Sequence, residues 1–292
     1  MSIAASLVME LRSRTGAGMM ECKKALTETN GDLEAAVEHM RKSGLAKADK
    51  KAGRIAAEGR VAIAFAKDAR RGAIVEVNCE TDFVGNNPDF VAFVGAVAEA
   101  ALASGATDVQ ALGAARLADG TTVDEARRAL VVKIGENVAL RRVELVVAKG
   151  TLCAYLHGIR IGVVVDVAGG NAELSKDLAM HIAASKPMCV SADQIPAEVL
   201  ARERTIVEAQ AAASGKPPEI VAKMVEGRLR KFAGESSLLG QPFVKDPDTS
   251  VEKLVKQAGA TVHAFVRYEV GEGIEKAKGD FVAEVMAQAR GG

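Results

Sequence analysis

Ile74-Val75-Glu76-Val77-Asn78-Cys79-Glu80-Thr81-Asp82-Phe83-Val84-Gly85-Asn86-Asn87-Pro88 is the stretch on which the fold turns. Its first residues alternate as a strand does: Val75, Val77 and Cys79 fall on one face, Glu76, Asn78 and Glu80 on the other. At its far end Asn87 is a strong N-cap and Pro88 suits the first helical position, where no amide hydrogen is needed. Beyond them Phe90, Phe93, Val94, Val97 and Ala101 recur at helical spacing and mark a buried stripe. Strand therefore passes to helix through Thr81-Asp82-Phe83-Val84, a short connection tethered at both ends. Such a mount can present a side chain to another molecule, and an aromatic ring beside a carboxylate suits a partner's pocket. The competing reading tucks Phe83 under its own helix and leaves Asp82 to cap it. Spacing and composition alone favour that second reading, because most phenylalanines are buried.

Working outward, Arg60 to Ala66 also alternates, and Asp68-Ala69-Arg70-Arg71-Gly72 joins it to the strand from Ile74 as a hairpin. The plan recurs further on. Arg142 to Lys149, Ala154 to His157 and Ile161 to Val167 read as strands, and Gly169-Gly170-Asn171 leads into a helix with Leu174, Leu178 and Ile182 inward. Thr261 to Val270 completes that second sheet. Strand, turn, strand, helix thus occurs twice, which implies two related α+β subdomains.

The flanks and the insertion are helical. Leu7 and Leu11 share one face of a first helix, and Thr15-Gly16-Ala17-Gly18 breaks it. Met19 to Thr29 forms a second helix, stopped by Asn30-Gly31. Asp32 caps a third that runs to about Ser43 with Leu33, Ala36, Val37 and Met40 inward, and Lys47 to Gly59 reads as a charged linker. A helical hairpin interrupts the second subdomain: Pro196-Ala197-Glu198 opens it, Ser214 to Pro218 turns it, and Glu219 to Phe232 returns. Ile206, Val207, Ile220, Met224 and Leu229 are its expected inner residues. Phe281, Val285 and Met286 stripe a short final helix. The expected organisation is a helical bundle at 1–53, a core subdomain at 54–140, a second at 141–187 and 236–274, the hairpin at 188–235 and a terminal module at 275–292.

Composition narrows the function. A length of 292 residues with 49% apolar content suits two or three domains with real cores. Net charge is zero, so there is no general electrostatic pull on phosphate backbones, and no basic face with interleaved aromatics appears. That argues against a nucleic-acid or ribosome-binding adaptor. Cys22, Cys79, Cys153 and Cys189 are far apart with no C-x-x-C pair, which implies reduced thiols. The first residues lack a secretory pattern and an Arg- and Ser-rich transit pattern, and no window is apolar enough to span a membrane. A cytoplasmic protein is expected. There is no phosphate loop, no H-E-x-x-H and no G-x-S-x-G, and Gly271-Glu272-Gly273 supplies only two glycines of a dinucleotide fingerprint. His39, His157, His181 and His263 have no metal spacing. The expectation is a protein with no catalysis, cofactor or metal that works by pressing surfaces onto a partner protein. A ubiquitin-type binding module is suggested only by the N-terminal bundle.

Six blocks in order carry a resemblance. They are Leu11-Arg12-x-x-Thr15-Gly16-Ala17-Gly18-Met19-Met20 with Cys22-Lys23-Lys24-Ala25-Leu26; Glu76-Val77-Asn78-Cys79-x-Thr81-Asp82-Phe83-Val84; His157-Gly158-x-Arg160-Ile161-Gly162-Val163; His181-Ile182-Ala183-Ala184-Ser185-Lys186-Pro187; Gly240-Gln241-Pro242-Phe243-Val244; and Glu269-Val270-Gly271-Glu272-Gly273-Ile274-Glu275. Together they resemble the elongation factor Ts family, the guanine-nucleotide exchange factors of elongation factor Tu. The resemblance implies an α+β fold with a ubiquitin-associated-like three-helix bundle ahead of the two core subdomains. It implies that Thr81, Asp82, Phe83 and Val84 enter the GTPase, disturb its phosphate loop and dislodge Mg²⁺. It further implies that Arg12, Met19 and Met20 touch the GTPase domain, that His157 meets the partner's far domain, and that the terminal helix adds a contact. The hairpin resembles the family's dimerisation element. No nucleotide would bind this chain directly. Extra residues near Asp119 to Val123 depart from shorter members of the family and affect a surface loop.

Overall fold

The computed structural model describes residues 3–213 and 217–275. The stripe of Phe281, Val285 and Met286 lies outside the described residues. Two compact units form. One holds the chain through Arg60, Val75–Val143 and the segment from Val270; the other holds Val61–Ile74 and Glu144–Glu269.

The first unit opens with α1 (Ala5–Thr15), α2 (Met19–Glu28) and α3 (Leu33–Lys51). Val8, Leu11, Ala17, Cys22, Leu26 and Ala36 form their small core. Gly16 ends α1 in the left-handed region at φ +67°, which glycine adopts without a Cβ penalty. Asn30 (φ 55°) and Gly31 (φ 86°) make the expected stop, and the Asp32 carboxylate caps α3 by accepting from Ala35 N–H at 3.0 Å. The third helix does not end near Ser43. It continues through Gly44 to Lys51, because Leu45-Ala46-Lys47-Ala48-Asp49-Lys50-Lys51 is rich in good helix formers that outweigh the cost of one interior glycine. The first five residues of the expected linker, Lys47 to Lys51, are therefore helix, and its last two belong to β1. Its extended end packs on α7 (Val123–Ile134), which also meets α5 (Pro88–Ser104) and α6 (Val109–Ala114).

β1 (Glu58–Phe65), β2 (Arg71–Cys79) and β3 (Val138–Val147) make a sheet in that order. The strand expected from Arg142 begins earlier, at Val138, and belongs to this first sheet rather than the second. The adjacent Arg141 and Arg142 hide its apolar period. Their guanidiniums have a purpose in the fold: Arg141 Nη1 at 2.9 Å and Arg142 Nε at 2.6 Å both donate to Glu76, which is 0% exposed. Glu76 also accepts from Gly271 N–H at 2.8 Å. The charged face of β2 is thus as buried as its apolar face. A buried carboxylate survives only when paired and hydrogen-bonded in this way.

In the second unit β4 (Thr151–His157), β5 (Ile161–Ala168) and β8 (Thr261–Glu269) form an antiparallel sheet in the order β4-β5-β8. α8 (Ala172–Ser185) packs on β4 and β5, with Val163, Val165, Leu178, Ile182, Leu238 and Phe243 in the shared core. Asn171 caps α8 by accepting from Leu174 N–H at 2.8 Å, as Asn87 caps α5 by accepting from Asp89 N–H at 2.9 Å. The same strand pair followed by an Asn-capped helix supports the internal repeat. β6 (Pro242–Phe243), β7 (Asp246–Ser250) and α11 (Val251–Gln257) lead into β8.

The hairpin is α9 (Ala197–Ala212) with α10 (Pro218–Ser236). Its seam is Val207, Ala211 and Val225, flanked by Val221 and Leu229. Ile206 and Ile220, expected inside, are 51% and 46% exposed. Two helices can cover only a narrow stripe on each other, and the i, i+4 sets Val207/Ala211 and Val221/Val225/Leu229 fill it.

Candidate functional site

The connection after β2 is a folded turn. Asp82–Gly85 forms a short helix, α4, with Thr81 as its N-cap in extended conformation. The Thr81 hydroxyl accepts from Val84 N–H at 3.4 Å, a long cap bond. Val84 and Gly85 are buried, so the turn is pinned from beneath. Asp82 is exposed, and Phe83 is 85% exposed. The ring does not pack under its helix, and the reading that spacing favoured is overturned. The stripe of α5 is already filled by Phe90, Phe93, Val94, Val97 and Ala101, which leaves Phe83 outside.

The turn's other supports lie far away in sequence. Glu136, just past the end of α7, accepts from Thr81 N–H through Oε2 at 3.0 Å and from the Thr81 hydroxyl through Oε1 at 2.7 Å. In reciprocal fashion Glu80 accepts from Asn137 N–H at 2.6 Å. Asn137 Nδ2 donates to the carbonyls of Ala52 and Arg54 at 3.3 and 2.8 Å, and Arg54 pairs with Glu80 at 3.5 Å. One corner therefore joins the exit of α3, the end of β2 and the start of β3. Nothing in the order of residues announces Glu136 or Asn137; only pairing between segments 55 and 57 residues apart reveals them.

Cys79 lies beneath the turn and donates to the Thr81 carbonyl at 3.1 Å. Burial pushes its thiol up to about 12, helped by the nearby carboxylates of Glu136 and Glu58. Gly59 passes so close to β2 that a Cβ there would lie 2.2 Å from the Val77 carbonyl oxygen, and its φ of +140° also demands glycine. This close crossing keeps the end of β2 in place.

The other expected contact residues are all at the surface. Arg12 is exposed on α1. Met19 and Met20 open α2 and are 49% and 77% exposed, unusual for methionine. They share the first unit with Phe83. His157 belongs to the second unit, exposed at the end of β4, with Nδ1 3.0 Å from the Tyr155 hydroxyl. Among the described residues, no group of three or more His, Cys, Asp or Glu is placed to hold a metal ion. None of the described helices is long and apolar enough to cross a membrane. On the first unit the firmly held projection is the turn from Thr81 to Val84, with the Phe83 ring in water.

Residues 80–272 match the family described as Elongation factor TS. The chain is 61% identical to the elongation factor Ts of Thioalkalivibrio sulfidiphilus over 293 residues, covering 100% of both chains. It is 61% identical to that of Methylococcus capsulatus over 291 residues, 99% of each. It is 56% identical to that of Legionella pneumophila over 289 residues, 99% of each. Matched by the family over residues 80–272 and by relatives from end to end, this chain belongs to the elongation factor Ts family.

Proposed function

We propose that this chain is the guanine-nucleotide exchange factor of elongation factor Tu in translation elongation, acting in the cytoplasm. The observation that carries the reading is Phe83, 85% exposed on a turn fixed at both ends, within a chain of this family. A large ring held in water contributes nothing to its own fold and is available to a partner's pocket. Phe83 enters the GTPase with Asp82 beside it, Thr81 and Val84 holding the turn. The intrusion disturbs the phosphate loop and dislodges Mg²⁺. GDP then loses its strongest electrostatic anchor. Arg12, Met19 and Met20 seat the N-terminal bundle on the GTPase domain, and His157 meets the partner's far domain.

Energetically the chain acts by linkage. A protein that binds the nucleotide-free GTPase more tightly than the nucleotide-bound form must weaken nucleotide binding by the same coupling energy. GTP binding in turn expels the factor. The chain makes and breaks no covalent bond and needs neither a cofactor nor a nucleotide of its own. The hairpin at 188–235 serves as a homodimer surface, a role that the exposed Ile206 and Ile220 support. Residues 275–292 add a further contact to the partner.

The test is release of fluorescent GDP from elongation factor Tu, followed by stopped flow with and without this chain. Acceleration that grows with concentration and saturates is expected. Release at the spontaneous rate at every concentration would dismiss the reading.

A further inference from the structure

We propose that Glu136 is a positioning residue for the exchange wedge: its carboxylate grips Thr81 and thereby sets the direction in which Phe83 leaves the surface. This rests on the exchange-factor reading above.

A four-residue helix such as α4 cannot hold its own shape, because so few hydrogen bonds do not repay the cost of nucleating a turn. Its direction must come from its anchors. The cap bond from Val84 N–H to the Thr81 hydroxyl is long at 3.4 Å. The hydroxyl has one hydrogen, and it goes to Glu136 Oε1 at 2.7 Å. That donation leaves a lone pair turned toward Val84. The other carboxylate oxygen takes the Thr81 N–H at 3.0 Å. Thr81 is thus held at backbone and side chain by one group, and charge-assisted bonds of this kind are the strong ones. Glu136 is itself fixed, because its neighbour Asn137 bonds Glu80, Ala52 and Arg54. It is also partly shielded from water. Only Asp82 separates Thr81 from Phe83, so a rotation at Thr81 is passed directly to the ring.

The experiment is stimulated release of fluorescent GDP from elongation factor Tu, measured to saturation for the wild-type chain, Glu136→Ala, Glu136→Gln, Thr81→Val, Thr81→Ser and the double variant Glu136→Ala/Thr81→Val. Thermal melts verify folding. For Glu136→Ala the maximal rate should fall about tenfold, as expected for a misaimed group, while the half-saturating concentration moves less than about threefold. Glu136→Gln should fall between, since its amide oxygen still accepts from the hydroxyl but its NH₂ cannot accept from the amide. Thr81→Ser, which keeps the hydroxyl, should retain more of the maximal rate than Thr81→Val, and the reverse order would overturn the proposal. The double variant should be no slower than the slower single variant, because both remove one interaction. Losses that multiply in the double variant would mean that Glu136 acts by touching the partner, and would overturn the proposal. So would a wild-type maximal rate in folded Glu136→Ala, or in Glu136→Gln should the alanine variant not fold. A wild-type chain that does not stimulate release refutes the exchange reading itself. An active wild type with an equally active Glu136→Ala refutes the clamp alone.

Discussion

Phe83 and Val84 are consecutive and face opposite environments: Phe83 is 85% exposed, while Val84 is 7% exposed. Val84 anchors the turn and Phe83 is presented by it. The two should therefore separate stability from function. Phe83→Ala removes no native packing and should change unfolding free energy by less than about 0.5 kcal/mol. Val84→Ala removes buried methyls and should cost about 1–2 kcal/mol. Urea denaturation measures both. On saturating stimulated GDP release the ranking reverses, with Phe83→Ala slowing it by about tenfold or more for loss of an interface anchor. A folded Phe83→Ala variant with unchanged release kinetics would sink the wedge assignment.

Glu76 provides a purely structural contrast. It is wholly buried and receives Arg141, Arg142 and Gly271 N–H. Glu76→Ala removes the buried acceptor shared by two guanidiniums and an amide, while Arg141 keeps the Glu272 carbonyl and Arg142 the Glu272 carboxylate, so a loss of about 3 kcal/mol is expected, at the low end for breaking a buried pair. Glu76→Gln keeps an acceptor oxygen and should cost roughly half as much. Denaturant melts of the two variants give the comparison. Equal stability of Glu76→Ala and wild type would show that the cluster contributes nothing net.

Cys79 should be inert in the native protein. Alkylation requires the thiolate, and burial pushes this thiol up to about 12. At pH 8 only about one molecule in ten thousand would then carry the anion, before any steric hindrance is counted. Peptide-resolved iodoacetamide labelling should leave Cys79 unmodified for hours in buffer and modify it quickly in denaturing urea. Rapid native labelling would contradict the closed packing under the turn.

Much of this was legible in the sequence because it is local. The caps Asn87 and Asp32, the stops at Gly16 and Asn30-Gly31 and the stripe from Phe90 to Ala101 each depend on neighbours within a few residues. The mount at Thr81 to Val84 was legible for the same reason. What escaped was non-local. Whether Phe83 points in or out depends on whether α5 has room for another ring, which spacing cannot say. β3 was misplaced because Arg141 and Arg142 look like surface residues until Glu76 is seen buried beside them. Glu136 gave no signal, since an isolated glutamate past a helix end reads as solvent-facing until Thr81 is folded against it. On the hairpin, Ile206 and Val207 differ by one position, and only the partner helix decides which is covered.

His181 gives the stability of the second unit a pH dependence whose sign can be worked out. The ring is fully buried. Val244 N–H donates to Nδ1 at 3.1 Å, so Nδ1 carries no proton; Nε2 carries it and faces Gln241 Oε1 at 2.9 Å. Protonation at Nδ1 would break the Val244 bond and place a cation in a closed site. Burial therefore holds the histidine below its ordinary pKa, with the Gln241 bond working against that effect. The unfolded chain takes up this proton near pH 6.5 and the folded chain only at lower pH. Stability from this group is thus complete above about pH 6.5 and is lost as pH falls toward the folded value, with a slope of at most about 1.4 kcal/mol per pH unit. His181→Gln should be less stable than wild type at pH 7.5 and should lose less on acidification. Urea midpoints at pH 7.5, 6.5, 5.5 and 5.0 for both proteins isolate the contribution, since the other histidines and the carboxylates are common to the pair. Curves that run parallel down to pH 5.0 would mean that His181 titrates alike in the folded and unfolded chains, and the buried neutral ring would have to be abandoned.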